Sequence, residues 1–344
     1  RLRSDAVRTY GANEFNMYAE DDWTVSDRLR VNAGLHGSLF AIDGRTRGGV
    51  SPRLSVSYRP TADVAVKAAY SRTVQYVHQL AQSYLALPTD RWIPITGEFR
   101  PQTADKVAVG AYWQFGVGAY AMSAEGYYKV MRNIIDYCDE YYLMPPLEAW
   151  NARLTSGSGT AKGIDFKIEK TVGRLTGHIC YSLAWADRKF REKNGGKRFP
   201  AQFDNRHSVK IALSWDASRK VSINAAWIGH SGNRVTLMPQ SWESPNFGYL
   251  GYMGDGVPLK TSVNNYELPF YHRLDLSCSV RNRRGYWTFG LYNAYCHLNT
   301  IAIRRGQRYV TEVTDGEVWT YSKPVFQKVK FIPIIPSISY TWQF

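Results

Sequence analysis

No stretch of the 344-residue sequence approaches the roughly 20 consecutive apolar residues that a membrane helix needs. The most apolar segment, FIPIIPSI, is short and broken by Pro333 and Pro336. Bilayer-spanning helices are therefore excluded. Cysteine is scarce: Cys138, Cys180, Cys278 and Cys296 form no CxxC pair and no metal-ligand spacing. Cys278 and Cys296 fall in neighbouring predicted strands, but a turn near residues 282–284 sets them away from direct opposition, so four unpaired thiols are expected. The usual marks of catalysis are missing as well, with no HExxH, no GxSxG elbow and no P-loop. SGSGTAKG, at 156–163, is glycine-rich but leads from a loop into a strand, the wrong context for a phosphate cradle. DNRH, at 204–207, opens a strand after a long loop, and local polar contacts are expected of it rather than a triad. No enzyme activity, metal or cofactor is expected. Lys and Arg outnumber Asp and Glu by 43 to 29, a formal charge of +14. The basic residues are scattered instead of forming one stripe with interleaved aromatics, so no nucleic-acid partner is expected.

What is present is alternation. RLRVNAGLHGSLF puts Leu29, Val31, Ala33, Leu35 and Leu39 on one face. PRLSVSYR sets Leu54, Val56 and Tyr58 against Arg53, Ser55, Ser57 and Arg59. The same rule runs through DVAVKAAYS, DKVAVGAYWQF, KGIDFKIEK, GHICYSLAW, HSVKIALSW, KVSINAAWI, HRLDLSCSV and GYWTFGL. It ends in SISYTWQF, where Ile338, Tyr340, Trp342 and Phe344 alternate with polar neighbours. A period of two with one apolar and one polar face marks β-strands, and about thirteen are predicted.

The connections alternate between short turns (TVSD, PTAD, FGVG, TVGR, DASR, RNRRG) and long links at 73–102, 136–160, 188–203, 231–268 and 298–333. A soluble sandwich has no reason to keep its long loops on every second connection; an outer-membrane barrel does. The mean hydropathy of −0.37 is compatible with such a barrel, whose strands alternate lipid-facing and lumen-facing side chains. Roughly 26 residues are available per strand, whereas about 10 cross a bilayer, so more than half of the chain is loop or strand extension. Trp23, Tyr58, Tyr70, Trp113, Trp185, Trp215, Trp227, Trp287 and Trp342 fall near predicted strand ends or on the apolar face, as interfacial girdles do. The fold class expected is an all-β, transmembrane antiparallel β-barrel.

YAEDDWTVSDRLRVNAGLHGSLF, SPRLSVSYRP, VKAAYSR, GEFRPQTADKVAVGAYW, AKGIDFKIEK, FPAQFDNRHSVKIALSW and the closing IPIIPSISYTWQF resemble successive strands of TonB-dependent outer-membrane transporters, of the Bacteroidetes type. The resemblance implies a barrel of about twenty-two strands filled by an N-terminal plug, with energy delivered by TonB–ExbB–ExbD through that plug. With about thirteen strands and no plug, residues 1–344 match the C-terminal part of the barrel alone; the opening RLRSDAVRTY, without Met or signal peptide, is read as lying inside a longer protein. The missing strands and plug are then partners, in the same or another chain. The loops are expected outside the cell and the C-terminus in the periplasm. Ile338, Tyr340, Trp342 and Phe344 resemble the terminal signature by which such barrels are recognised for assembly.

Uptake of a scarce solute follows from the resemblance: a ferric siderophore, haem, cobalamin, an oligosaccharide or a peptide. A passive porin-like channel, or an enzyme or adhesin on a barrel scaffold, is the alternative. The family binds ligand jointly through plug and loops, so no individual binding residue is carried over. Aromatic residues of the long links are the candidates for ligand capture: Tyr76, His78, Tyr84, Trp92, Tyr141, Tyr142, Trp150, Trp242, Tyr249, Tyr252, Trp319 and Tyr321. His78 and His230 are candidate haem ligands only in the sense that histidine can serve. The charged residues between the apolar ones, Lys67, Lys106, Glu125, Lys129, Asp165, Lys167, Glu169, Lys210, Arg273 and Asp275, are read as a polar wall with charge pairs. The basic runs at 187–198 and 304–308 suit an anionic ligand or, in preference, the phosphates of lipopolysaccharide. Outer-membrane lipid and a surface lipoprotein complete the expected partners.

Overall fold

The computed structural model describes residues 11–80, 91–96, 99–139, 154–237, 241–242, 257–258, 262–314 and 317–343. The alternating segments become thirteen long strands: β1 (Ala12–Ser26), β2 (Leu29–Ile42), β3 (Arg45–Tyr58), β4 (Val64–Gln75), β5 (Gln102–Phe115), β6 (Tyr120–Tyr137) and β7 (Leu154–Lys170). They continue as β8 (Leu175–Phe190), β9 (His207–Asp216), β10 (Val221–His230), β11 (Tyr271–Asn282), β12 (Gly285–Tyr292) and β13 (Ile335–Trp342). Each pairs antiparallel with the next in chain order, and one two-residue strand, Phe199–Pro200, adds to β8. Among the described residues there is no α-helix, only a turn of 3-10 helix at Asn194–Gly196. The free Cys138, Cys180, Cys278 and Cys296 form no disulfide.

Connections therefore emerge alternately at two ends of the sheet, a turn end and a loop end. The turn end is uniform; the β5–β6 turn, for example, bends through Gly116, Val117 and Gly118, all at positive φ. The loop end departs from strict alternation once. The β2–β3 connection is a two-residue turn at Asp43 and Gly44, with φ of 50° and 70°, the left-handed pair that matches hairpin twist. The link at 298–333 keeps the alternation but is not a plain loop. Most of it is itself a hairpin, Asn299–Thr314 paired with Glu317–Phe331.

A sheet of this kind has no conventional core. Buried apolar side chains gather at the loop end, in one cluster containing Phe40, Ile42, Tyr76, Ile95 and Phe99 and in another of Phe190, Phe199 and Val263. The edges are bare: every residue of β1 is exposed, and β13 is exposed along nearly all its length. Both edge strands thus present unpaired backbone groups, the template on which further strands pair.

Candidate functional site

Cross-strand register determines which side chains share a face. Val31 lies opposite Val56, Val56 opposite Ala68, Ala68 opposite Val109 and Val109 opposite Gly126. Further along, Ile164 lies opposite Leu183, Phe166 opposite Tyr181, and Ile211 between Ile179 and Trp227. Leu276 lies between Ala225 and Leu291, and Phe289 opposite Ile338. One face is thus apolar from end to end, and its large side chains remain exposed in the sheet. Trp23, Tyr58, Trp113, Trp215, Trp287 and Trp342 border it at the turn end. Tyr70, Tyr128 and Trp185 border it at the loop end, whereas Trp227 sits inside the band, opposite Ile211 and Leu274. Along β8 the band runs from Leu175 to Trp185. At about 3.3 Å per residue and a tilt of about 40°, that span is about 25 Å tall.

The opposite face is polar, and its charges largely satisfy one another. Glu125 accepts a hydrogen bond from the Tyr112 hydroxyl at 3.1 Å and pairs with Lys106 at 3.9 Å. Lys67 lies 4.7 Å from the centre of the Tyr112 ring, and Lys106 lies 5.2 Å from that of Tyr127. Lys167 pairs with Glu169 at 2.7 Å, Arg273 with Asp275 at 2.8 Å, and Arg53 reaches Glu20 across the intervening strand. Lys129 stands opposite Lys106, and Asp165 opposite Glu125, so like charges also adjoin on this face. Lys210 stands opposite Cys180 and Ile228. This is the charge-paired wall that the alternation leads one to expect.

At the loop end the polar face is covered by protein. Phe40 and Ile42 point away from the apolar face and are buried under the segment that follows β4. Tyr76 stacks on Phe40 with ring centres 4.9 Å apart, and its hydroxyl lies 2.7 Å from Ser38 Oγ. A short hairpin, Val77–Leu80 with Arg91–Pro94, extends this cover. His78 lies within it, and burial pushes its imidazole below the ordinary value, with a hydrogen bond to Gln102 opposing. Its Nε2 has no hydrogen-bond partner among the described residues.

DNRH anchors the next loops. The Asp204 carboxylate accepts the Ala186 N–H at 2.8 Å and faces Arg206 at 3.1 Å and Arg234 at 3.6 Å. Asn205 Nδ2 donates to the Ser231 carbonyl at 2.6 Å and to Asn233 Oδ1 at 2.9 Å, and lies 3.0 Å from His230 Nδ1. Arg234 also holds Glu267 at 2.9 Å, and Asn264 donates to the Pro200 carbonyl at 2.8 Å. These are local polar contacts that tie the loops following β8 and β10 together. The fixed position of His230, stacked on Tyr271 at 4.8 Å, gives it a structural role.

Of the candidates for ligand capture, the structure separates buried from presented residues. Tyr76 is 4% exposed and His78 is 5%, so both make their contacts inside the protein. Trp92 is 64% exposed on the cover hairpin and Trp319 is 60% exposed on the long hairpin. Trp242 and Tyr321 belong to short and long strands respectively. Tyr84, Tyr141, Tyr142, Trp150, Tyr249 and Tyr252 lie outside the described residues, as does Phe344. Among the described residues, no group of three or more His, Cys, Asp or Glu is placed to hold a metal.

A wall apolar outside and polar inside, bordered by aromatics about 25 Å apart, is that of a transmembrane β-barrel, and among the described residues no helix is long and apolar enough to cross a membrane. The family described as TonB dependent receptor-like, beta-barrel matches residues 2–295, and the chain belongs to it as an outer-membrane protein. No curated protein matches the sequence. Solved structures that share the fold at low identity include three iron-related receptors. The ferric-catecholate import receptor Fiu from K12 E. coli is 12% identical with a TM-score of 0.59, over 96% of this chain and 45% of that one. The ferripyoverdine receptor of Pseudomonas aeruginosa is 11% identical with a TM-score of 0.60, over 85% and 36%. The FrpB iron transporter of Neisseria meningitidis is 10% identical with a TM-score of 0.59, over 84% and 42%. The chain spans less than half the length of each.

Proposed function

We propose that residues 1–344 form the C-terminal part of the barrel of a TonB-dependent importer. The loop end faces outside, the turn end and C-terminus face the periplasm, and TonB–ExbB–ExbD act through a plug supplied by the rest of the protein. Ligand is captured outside by the long loops, with Trp92 and Trp319 the best-presented aromatics. The ligand is a scarce solute of the class ferric siderophore, haem, cobalamin, oligosaccharide or peptide. Ile338, Tyr340, Trp342 and Phe344 serve assembly. Lipopolysaccharide and a surface lipoprotein are its expected partners in the membrane.

The observation that carries this reading is the covered polar face. Five of the six loop-end connections are long, and the covering segments near Phe40 and Phe190 are packed against the loop-end strand extensions. A passive pore needs no such cover. The solved relatives are described as a ferric-catecholate import receptor, a ferripyoverdine receptor and an iron transporter, so a ferric siderophore is the first ligand to test. The experiment is uptake of radiolabelled ferric siderophores by cells carrying or lacking the receptor, each with and without TonB. Uptake requiring both supports the reading. Uptake that persists without TonB points to a passive channel and refutes it.

A further inference from the structure

The charges of the polar wall largely pair, but those of the turn end do not, and the imbalance lies on one side. The first three turns, at 27–28, 59–63 and 116–119, hold Asp27, Arg28, Arg59 and Asp63, which balance. The last three, at 171–174, 217–220 and 283–284, hold Arg174, Arg219, Lys220, Arg283 and Arg284 and no acid. Arg281, near the end of β11, adds another cation to this side.

Register places much of this charge on the lumen side. Ser222 stands opposite Ser279, and Arg281 opposite Tyr286, on the face that carries Asp275 and Ser277 higher up. There Arg174, Arg219, Lys220 and Arg281 line a cleft of about 1020 Å³, and Asp216 is the single carboxylate in its lining. All four cations are exposed. Backbone bonds fix the rim: the Asp216 N–H donates to the Arg174 carbonyl at 2.8 Å, and the Arg281 N–H to the Lys220 carbonyl at 2.7 Å. The Arg174 side chain is held as well, its Nε donating to the Asp216 carbonyl at 3.1 Å. Among the described residues, no carboxylate pairs with Arg219, Lys220 or Arg281. Above the cleft the inward rows carry short side chains, Ser214 opposite Asn224 and Ala212 opposite Ala226, which leaves it open toward the lumen.

We propose that this cleft is a binding site, at the exit end of the lumen, for a solute carrying two or more carboxylate or phosphate groups, and that the imported ligand belongs to that class. The inference rests on the proposed import and orientation, and it narrows the ligand to polyanions. Charges of one sign in a recess with low-dielectric walls raise the local concentration of the opposite sign, by about 10- to 1,000-fold. One carboxylate cannot occupy the donors of four cations, and guanidinium forks recognise the paired oxygens of carboxylate and phosphate. A neutral oligosaccharide leaves that charge unused, and a cationic solute is repelled by it. Because the cleft opens on the polar face, a bilayer lipid lying on the apolar face does not fill it.

The test uses the whole receptor in detergent, in equilibrium dialysis against radiolabelled citrate, pyrophosphate and acetate. The variant is Arg219→Gln with Lys220→Gln and Arg281→Gln. The control, Arg28→Gln with Arg59→Gln, removes turn-end charge outside the cleft, and heat-modifiable mobility confirms that both fold. Citrate or pyrophosphate should bind well ahead of acetate, roughly tenfold or more weaker in the triple variant and unchanged in the control. No binding, parity with acetate, an unchanged triple variant, or an equal loss in the control would each overturn the proposal. Transport is read separately in cells, with ferric siderophores of negative and of positive net charge. In the triple variant, cell-surface binding of the anionic chelate should persist while its uptake slows several-fold; equal slowing of the cationic chelate would overturn the charge selection. Uptake that persists without TonB, or no uptake of either chelate, refutes the import reading and leaves the site to be judged by the dialysis.

Discussion

Arginine placed at Phe166 tests the assignment of faces most directly. Phe166 stands opposite Ala124 and Tyr181, on a face whose apolar band runs from Leu175 to Trp185 along β8. Tyr181 is one residue from the midpoint of that span, which puts Phe166 about 2–3 Å from the midplane at the strand rise and tilt of such barrels. Its ring is 48% exposed in the sheet, so half of it meets the surroundings directly. Near the midplane an outward Arg costs about 2–4 kcal/mol, or roughly 30- to 700-fold in the folding constant. Lys167, one residue on, faces inward and pairs with Glu169, so Lys167→Arg should cost less than about 0.5 kcal/mol. The assay is reversible urea unfolding of the whole protein in lipid vesicles, followed by tryptophan fluorescence and heat-modifiable mobility. Similar costs for Phe166→Arg and Lys167→Arg would show that the two faces meet the same solvent and that no membrane-spanning wall exists here.

Three further outcomes are expected. At Gly49 an added Cβ would lie 2.7 Å from both the Tyr76 hydroxyl and Val74 Cγ1, so Gly49→Val should cost about 1–3 kcal/mol of local stability and speed proteolysis of the segment after β4 without releasing the sheet. Because burial depresses the His78 pKa, the opened segment binds a proton that the packed one refuses; its stability is full above 6.5 and declines as pH falls below that value. Hydrogen exchange of residues 76–80 at pH 7.5 and 5 should show this loss, and His78→Phe should abolish the difference. Tyr76→Ala should loosen the cover by about 3 kcal/mol, whereas Trp92→Ala should leave stability within about 0.5 kcal/mol and weaken ligand binding, as measured by exchange protection and equilibrium titration.

The wall was legible in the sequence because a strand between lipid and lumen has only two kinds of neighbour, and period-two alternation records both. Thirteen strands and their lipid-facing residues follow from that pattern. The loop end was harder to read because there the alternation stops carrying information. Leu39-Phe40-Ala41-Ile42 breaks it, and the break has a physical cause: above the membrane border, Phe40 is buried under a loop on the face that lower down is polar. The same holds at β6, where a bulge at Asn133, with φ of 58°, shifts the register and turns Ile134 toward Phe190 and Phe199. Consecutive apolar residues at a strand end were thus the available signal for a covering loop. Asp105, which accepts from Arg72 at 2.7 Å and from Arg132 at 2.6 Å, left none, since three residues far apart in sequence meet only through register.

The proposed ligand capture divides the aromatics of the loop end into buried ones that set a base and presented ones offered to the ligand. A loop that must order itself around a ligand loses about 0.5–1.5 kcal/mol for each side chain it immobilises. Here much of that ordering is already done by Tyr76 on Phe40, by Phe190 on Phe199, and by the Asp204 network that joins the loops following β8 and β10. Trp92 stands only ten residues before the next barrel strand begins at Gln102, on a hairpin whose inner side is packed by Ile93 and Ile95. An exposed ring on a fixed base offers stacking area without the entropic cost of a mobile one. That is why a ligand contact is sought at Trp92, and why Tyr76 and His78, although chemically better suited to hydrogen bonding or metal ligation, serve the base instead.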